Sequence, residues 1–306
     1  GEHMNREEVV LAKLANPYSD DKVKLDVSLN ERLLKFIDEN KISLLLKEKG
    51  IETKIATQDE KKLKVLMDEM QELADEFVAE NVDYVLIKFP KLPRPHGDLD
   101  IIVSDVRTVE EILKRRGYFL DYDGDFYRRK YVKSGKTSWE VDIHLKAAWS
   151  RIIYLDEHEV LNTAIKRKIL GRRVPVPNPN YELLITAAHA MRENKITLFD
   201  VIHAKSILNG RKINMNYVER IAKKYGWLDQ FSLFIKTICN IYTELYENHN
   251  SKPEFKLPYR FPPQEILALK LRKALFDTKN HGLKRGFEDL RAYSIDILKF
   301  LKRVAK

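Results

Sequence analysis

Two aspartates, Asp98 and Asp100, sit one residue apart in the run GDLDIIV, and a third, Asp142, lies in WEVDIHL. Side chains i and i+2 of a strand leave the same face. Read as strands, the first run projects Asp98 and Asp100 together and sends Leu99, Ile101 and Val103 to the other side. In the second, Val141, Ile143 and Leu145 make the apolar face, while Glu140, Asp142 and His144 share the opposite one. Aspartate is depleted in strand interiors, so three of them on polar strand faces need a reason. Mg2+ prefers carboxylate and water oxygens, and two carboxylates on one strand with a third on another form a cage for divalent metal. Solvated strand-end carboxylates are the plainer alternative. Glu140 reads as a solvated or salt-bridged neighbour, and His144 as either a site residue or a hydrogen-bonding group within the sheet. A zinc site would draw on more histidine and cysteine nearby than eight histidines and one cysteine supply.

Around these runs other residues fall into an order. Lys88 ends the preceding apolar run, Arg94 and His96 come before Gly97-Asp98-Leu99-Asp100, and Val141-Asp142-Ile143-His144 follows. His189 then lies in the apolar stretch LLITAAHAM, and Phe199-Asp200 comes after it. This ordered set resembles the DNA polymerase beta-like nucleotidyltransferase superfamily, and most closely its minimal, uncharacterised branch. The resemblance spans roughly residues 30–210. It implies transfer of a nucleoside monophosphate from an NTP, such as ATP, to a hydroxyl, with release of pyrophosphate. It implies Mg2+, with Mn2+ as the alternative, working as a pair of ions about 3.5–4 Å apart. On the same ground Asp98 and Asp100 would hold the nucleotide-bound metal and share the second. Asp142 would complete the second metal and receive, or electrostatically favour loss of, the acceptor's proton. Lys88, Arg94, His96 and Gly97 would hold the triphosphate, with His189 and Asp200 as second-tier candidates; as a residue, His189 in an apolar helix reads first as core.

There is a departure. The superfamily carries a Gly-Ser pair upstream of its carboxylates, whose hydroxyl and backbone amides grip the triphosphate. Here the position reads Lys88-Phe89-Pro90, and the loop also carries Pro93 and Pro95. Proline supplies no N–H, so phosphate must be held by side chains or at Gly97.

The elements that position these residues can be read from periodicity. The stretch 29–49 is helical in two pieces, with Gly50 as a stop. A stronger helix follows: Thr57 and Glu60 have capping-box spacing, and Leu63, Leu66, Met67, Met70, Leu73, Ala74 and Phe77 repeat at helical intervals. It is expected to pack on the sheet that starts at Tyr84. A short helix after the second strand is signalled by Thr108 and Glu111 and ended by Gly117. Strands follow at 118–121 and 126–132, joined at Asp123-Gly124, then the strand of Asp142, then a hairpin over 168–176 around Gly171. From Asn178-Pro179, an N-cap followed by proline, the pattern is helical: about 180–193, 197–208, 215–225, 228–247, 263–277 and 284–304. The expectation is an α+β fold, a small mixed sheet with N-terminal helices and a C-terminal helical domain. Its parts are a helical lead over 5–80, a nucleotidyltransferase core over 81–177 and a helical domain over 178–306.

Composition bounds the rest. The 306 residues are 44% hydrophobic, enough for substantial cores. Fifty-five Lys and Arg against forty-six Asp and Glu give +9, which favours polyanionic partners. A heavily charged surface of the thermophile kind explains the same numbers: 33% of residues are charged, and Gln and Cys are scarce. Residues 266–306 hold eleven basic side chains against four acidic ones, a net of +7, suited to a nucleic-acid backbone or to a solvated helix face. The expected acceptor is an RNA end such as that of tRNA. A protein or small-molecule acceptor, and a catalytically inactive fold that binds nucleic acid or acts as an antitoxin-like partner, are the alternatives. A single cysteine, Cys239, forms no intramolecular disulfide and fits a reducing cytoplasm. No apolar run approaches a membrane span. Gly1-Glu2-His3 ahead of Met4 reads as a remnant of a cleaved tag.

Overall fold

Alternation along the two aspartate-bearing runs divides the molecule between two apolar cores. In the computed structural model, the described residues are 3–18, 29–125, 127–133, 139–149, 152–210, 212–248, 253–284 and 291. At the centre is a mixed five-stranded sheet: β1 (Tyr84–Ile87), β2 (Asp98–Val103), β3 (Tyr118–Asp125), β4 (Arg128–Lys133) and β5 (Trp139–His144). Their order is β1-β2-β5-β4-β3. Only the central pair, β2 and β5, runs parallel; the other pairs are antiparallel. The expected α+β architecture is present, with helices at both ends of the chain.

One sheet face carries Leu86, Leu99, Ile101, Val103, Val141 and Ile143. The long helix α4 (Lys54–Ala79) lays Leu63, Leu66, Met67, Met70, Leu73, Ala74 and Phe77 against it, beside Ile112 and Leu113 of α5 (Val106–Arg115). The hairpin of β8 (Ile165–Ile169) and β9 (Arg172–Val176) adds Val174 and Val176 to this core. The other face offers Val85, Ile87 and Ile102 to a second, larger core. That core gathers α1 (Arg6–Ala15), α2 (Glu31–Glu39) and α3 (Ser43–Glu48) with α7 (Pro179–Glu193), α8 (Leu198–Leu208), α9 (Met215–Lys224), α10 (Leu228–Tyr242) and α11 (Pro263–His281). The first three helices therefore share a core with the last five, and the polar residues of β2 and β5 open into the seam.

Several local expectations are corrected. Helix α4 starts at Thr53, whose hydroxyl accepts from the Ala56 amide at 2.9 Å, one turn before the Thr57–Glu60 pair. Helix α5 is capped by Asp105, which accepts from the Thr108 amide at 3.1 Å and from its hydroxyl at 2.7 Å. Thr108 is thus a donor in the first turn and not the cap, consistent with the better capping strength of aspartate. Strand β3 runs through Asp123-Gly124 with register shifts instead of turning there. The predicted helix over 228–247 is α10 followed by a π-helical turn over Thr243–Glu247. Periodicity gave no sign of α1, of α6 (Glu157–Asn162) or of the two-residue strands β6 (Ala148–Trp149) and β7 (Ile152–Ile153). The predicted helix over 284–304 lies outside the described residues, apart from residues 284 and 291. Among the described residues no helix is long and apolar enough to cross a membrane.

The loop leaving β1 is fastened by a buried ion pair. Arg167 of β8 donates to Glu182 of α7 at 2.8 and 2.6 Å and to the Phe89 carbonyl at 2.9 Å. Removing one member leaves the other charge buried and unpaired. Arg167→Met is expected to lower stability by about 3–5 kcal/mol in denaturant titration. The double change Arg167→Met with Glu182→Leu should recover most of that loss.

Candidate active site

The parallel register of β2 and β5 sets Asp100 beside Asp142 and Asp98 beside Glu140. Asp100, Asp142 and His144 are all buried, at 2%, 4% and 2% exposure. Each offers a ligand atom within 4.8 Å of the others. Asp98, half-buried at the start of β2, stands alongside them.

Two carboxylates this close in a low-dielectric pocket repel unless cations intervene. Lys88 Nζ donates to Asp100 Oδ1 at 2.6 Å, and His144 Nε2 lies 2.7 Å from the same oxygen. Arg128 donates to Asp142 Oδ2 at 3.0 Å, and Lys130 pairs with Glu140 at 2.7 Å. Glu140 is thus the salt-bridged neighbour that the sequence suggests. Burial would raise the Asp100 carboxyl, but Lys88 and His144 outweigh it and hold the group well below the usual carboxylate range. Burial and the Asp100 charge together push Asp142 up, against Arg128. Asp98 rises from 3.8 to about 6, mainly through Asp100 and then through burial, with Lys88 opposing. Asp142 Oδ1 is buried and accepts no hydrogen bond among the described residues. That orphaned oxygen, with the two carboxylates and imidazole around it, is a donor set that can hold a divalent ion.

Backbone geometry aims the basic residues. Lys88 follows β1 with φ +63°, a left-handed conformation uncommon for a non-glycine residue, and its side chain turns back over β2. The proline-bearing loop beyond it is closed by His96 stacked on Phe89, ring centroids 3.9 Å apart at 3°. Burial and the Arg94 charge hold the His96 imidazole neutral. Arg94 lies over the Phe199 ring at 5.6 Å, and its buried Nε has no hydrogen-bond partner among the described residues. A Cβ added at Gly97 would meet no protein atom within 4 Å, so the space beside it is open. Lys88, Arg94, His189, Glu182, Asp200 and His203 border a cavity of about 20 Å3, room for about one water.

His189 is half-buried beside Lys88 and Arg94, and its Nδ1 is buried without a partner among the described residues. Burial, then Lys88, Arg94 and Lys41, keep its imidazole neutral. Asp200 Oδ2 accepts from the Thr197 amide and hydroxyl at 2.9 and 2.7 Å, closing a capping box at the start of α8. Sequence reasoning missed Arg128, Glu182, His203 and Lys41. Arg128 could have been found only with the β4–β5 register, which places it across from His144.

The mixed sheet brings Asp100 and Asp142 together on adjacent strands, and the comparisons give the chain its family. The chain belongs to the family described as uncharacterised nucleotidyltransferases, whose sequence model matches residues 50–242. No curated protein matches it. Among solved structures it is similar to the lincosamide antibiotic adenylyltransferase LnuA bound to lincomycin, at 17% identity and TM-score 0.34, over 46% of this chain and 96% of that one. An antigenic nucleotidyltransferase-like protein from Paracoccidioides brasiliensis matches at 13% identity and TM-score 0.38, over 61% and 91% of the two chains. A tRNA nucleotidyltransferase complexed with a primer tRNA and an incoming ATP analog matches at 13% identity and TM-score 0.20, over 72% and 74%.

The raised Asp98 carboxyl has a thermodynamic signature. Between its ordinary value of 3.8 and about 6, the folded state binds the proton more tightly than the unfolded chain. Stability is therefore lost as pH rises through that window. Without metal, Asp98→Asn should be more stable than the wild type above about pH 6, by about 1–2 kcal/mol after solvent screening. The gain should vanish below about pH 4. Denaturant titrations at the two extremes measure it.

Proposed function

We propose that the protein transfers a nucleoside monophosphate from an NTP to a hydroxyl at an RNA end, such as that of tRNA, in a reaction that uses Mg2+. The observation that carries this reading is the in-register pairing of Asp100 with Asp142, with His144 within reach of both. Asp98, Asp100 and Asp142 are the proposed metal ligands. Bound Mg2+ would supply charge to the α-phosphate and to the departing pyrophosphate.

The chain's own residues have separate tasks in this reading. Asp142 Oδ1 accepts no hydrogen bond among the described residues, and burial and Asp100 raise the affinity of its carboxylate for a proton. It is the proposed acceptor of the attacking hydroxyl's proton. Arg128, on the other oxygen of the same group, holds Oδ1 in place. Lys88 has three N–H donors and gives one to Asp100, leaving donors for a phosphate oxygen beside it. Arg94 and the half-buried His96 take further phosphate oxygens, and the open side of Gly97 gives them room. The net charge of +9 favours a polyanionic acceptor.

The test is incubation with each α-labelled NTP, Mg2+ and total cellular RNA. Label that moves with RNA is the expected result. Asp100→Asn and Asp142→Asn should each lower transfer on the order of 10³-fold or more while the circular dichroism spectrum is retained. Equal labelling by wild type and both variants would remove the reading. Label found only on protein or a small molecule would replace the RNA acceptor.

A further inference from the structure

The loop between β1 and β2 has lost the glycine and hydroxyl donors that would hold a triphosphate, yet the pocket beside it is crowded with cations. We propose that Lys41 and Lys195, from outside the catalytic strands, complete a polyphosphate-binding basin with Lys88 and Arg94 and hold the outer phosphates of the NTP. This rests on the nucleotidyl-transfer reading and extends it to residues that no catalytic motif contains.

The backbone delivers both lysines. Asn40 Oδ1 accepts from the Leu198 amide at 3.0 Å, and its carbonyl accepts from the Phe199 amide at 3.2 Å. These bonds pin the end of α2 to the first turn of α8, beneath the Arg94 guanidinium that lies over Phe199. Lys41 comes next, with φ +57°. That position after a helix end ordinarily goes to glycine or asparagine, and a lysine there is held against its backbone preference. From the other side Asn194, with φ +52°, ends α7 and leads directly into Lys195 of β10 (Lys195–Ile196). Lys88, at +63°, is a third left-handed non-glycine residue here, and the charges of Lys88 and Lys195 both reach Lys41.

Charge compensation is missing at the same place. Among the described residues Lys41, Arg94 and Lys195 form no ion pair. Asp200, the carboxylate whose charge reaches Lys41, has Oδ2 occupied by two Thr197 donors. The Lys41 ammonium is pushed down to about 8 by burial, by Arg94, Lys195 and Lys88, with Asp200 opposing. A cluster of half-buried like charges raises the free energy of the empty protein and is relieved by a bound polyanion. Position supports the order of phosphates. Lys88 touches Asp100, and its charge also reaches Lys41, so it joins the carboxylates, where the α-phosphate would sit, to the lysines proposed for the β- and γ-phosphates.

The experiment is calorimetric titration of the full chain with inorganic tripolyphosphate in EDTA, with AMP as the comparison. Tripolyphosphate should bind more tightly than AMP, and the more so at low salt. Lys41→Gln and Lys195→Gln should each weaken it about 10-fold, and together about 50-fold or more. AMP binding should stay the same and the melting temperature should not fall, since each change relieves repulsion in the empty protein, while Lys41→Arg should remain within about threefold of wild type. Lysines that served only structure would lower the melting temperature when replaced and leave the tripolyphosphate-to-AMP ratio as it is. The inference is overturned if the double variant binds tripolyphosphate as the wild type does, or if the wild type binds it no better than AMP. Loss of the transfer reading looks different: the basin binds tripolyphosphate as expected, but no NTP gives metal-dependent labelling.

Discussion

Parallel pairing of β2 with β5 places Asp100 directly against Asp142, and the rest of the structure answers that juxtaposition. Two carboxylates side by side beneath a protein surface cannot both stay charged without local compensation. The chain supplies it from separate elements: Lys88 from the end of β1, His144 from β5 itself and Arg128 from β4. Lys88 and His144 share Asp100 Oδ1, and Arg128 takes Asp142 Oδ2. Asp142 Oδ1 keeps its lone pairs free of donors among the described residues, which is where chemistry can begin. The sheet thus stores charge that a cation and a polyphosphate together would neutralise.

The seam between the two apolar cores is what makes room for this. On the α4 side the sheet is dry and tightly covered. On the other side Val85, Ile87 and Ile102 join the large helical core, while the polar positions of the same strands remain at its margin. Arg167 ties the loop after β1 to α7 through the Phe89 carbonyl and Glu182. The stacked Phe89 and His96 rings close the loop above them. Proline at three positions of that loop removes backbone donors, and in the proposed reading side chains from outside the sheet fill the role.

Much of this was legible in the sequence because strand alternation is a local code. The i, i+2 spacing of Asp98 and Asp100 predicted their shared face, and the pattern of Val141 and Ile143 predicted which side of β5 is buried against α4. The stripe from Leu63 to Phe77 likewise named its own partner. What could not be read was register and long-range placement. Nothing near Arg128 in the sequence says that it will lie across from His144, and nothing near Lys41 marks it as a neighbour of Arg94. Cap positions shifted for a different reason: Thr53 and Asp105 accept from the Ala56 and Thr108 amides, about a turn ahead of the predicted caps, and the earlier cap yields the longer helix.

The sharing of one core by the two ends of the chain has a consequence for how the molecule comes into being. The Ala12 carbonyl accepts from the Tyr246 hydroxyl, 234 residues away, and the Met4 amide donates to the Phe255 carbonyl. On the ribosome, the sheet and α4 can assemble while the first three helices still lack the surfaces they will cover. Contacts of such sequence separation form late and slowly. The aspartate strands would therefore exist, acidic and uncovered, before Asn40 could reach the start of α8. Maturation of the pocket follows the emergence of the last helices, and a nascent chain stalled short of them would carry the acids without their full basic surround.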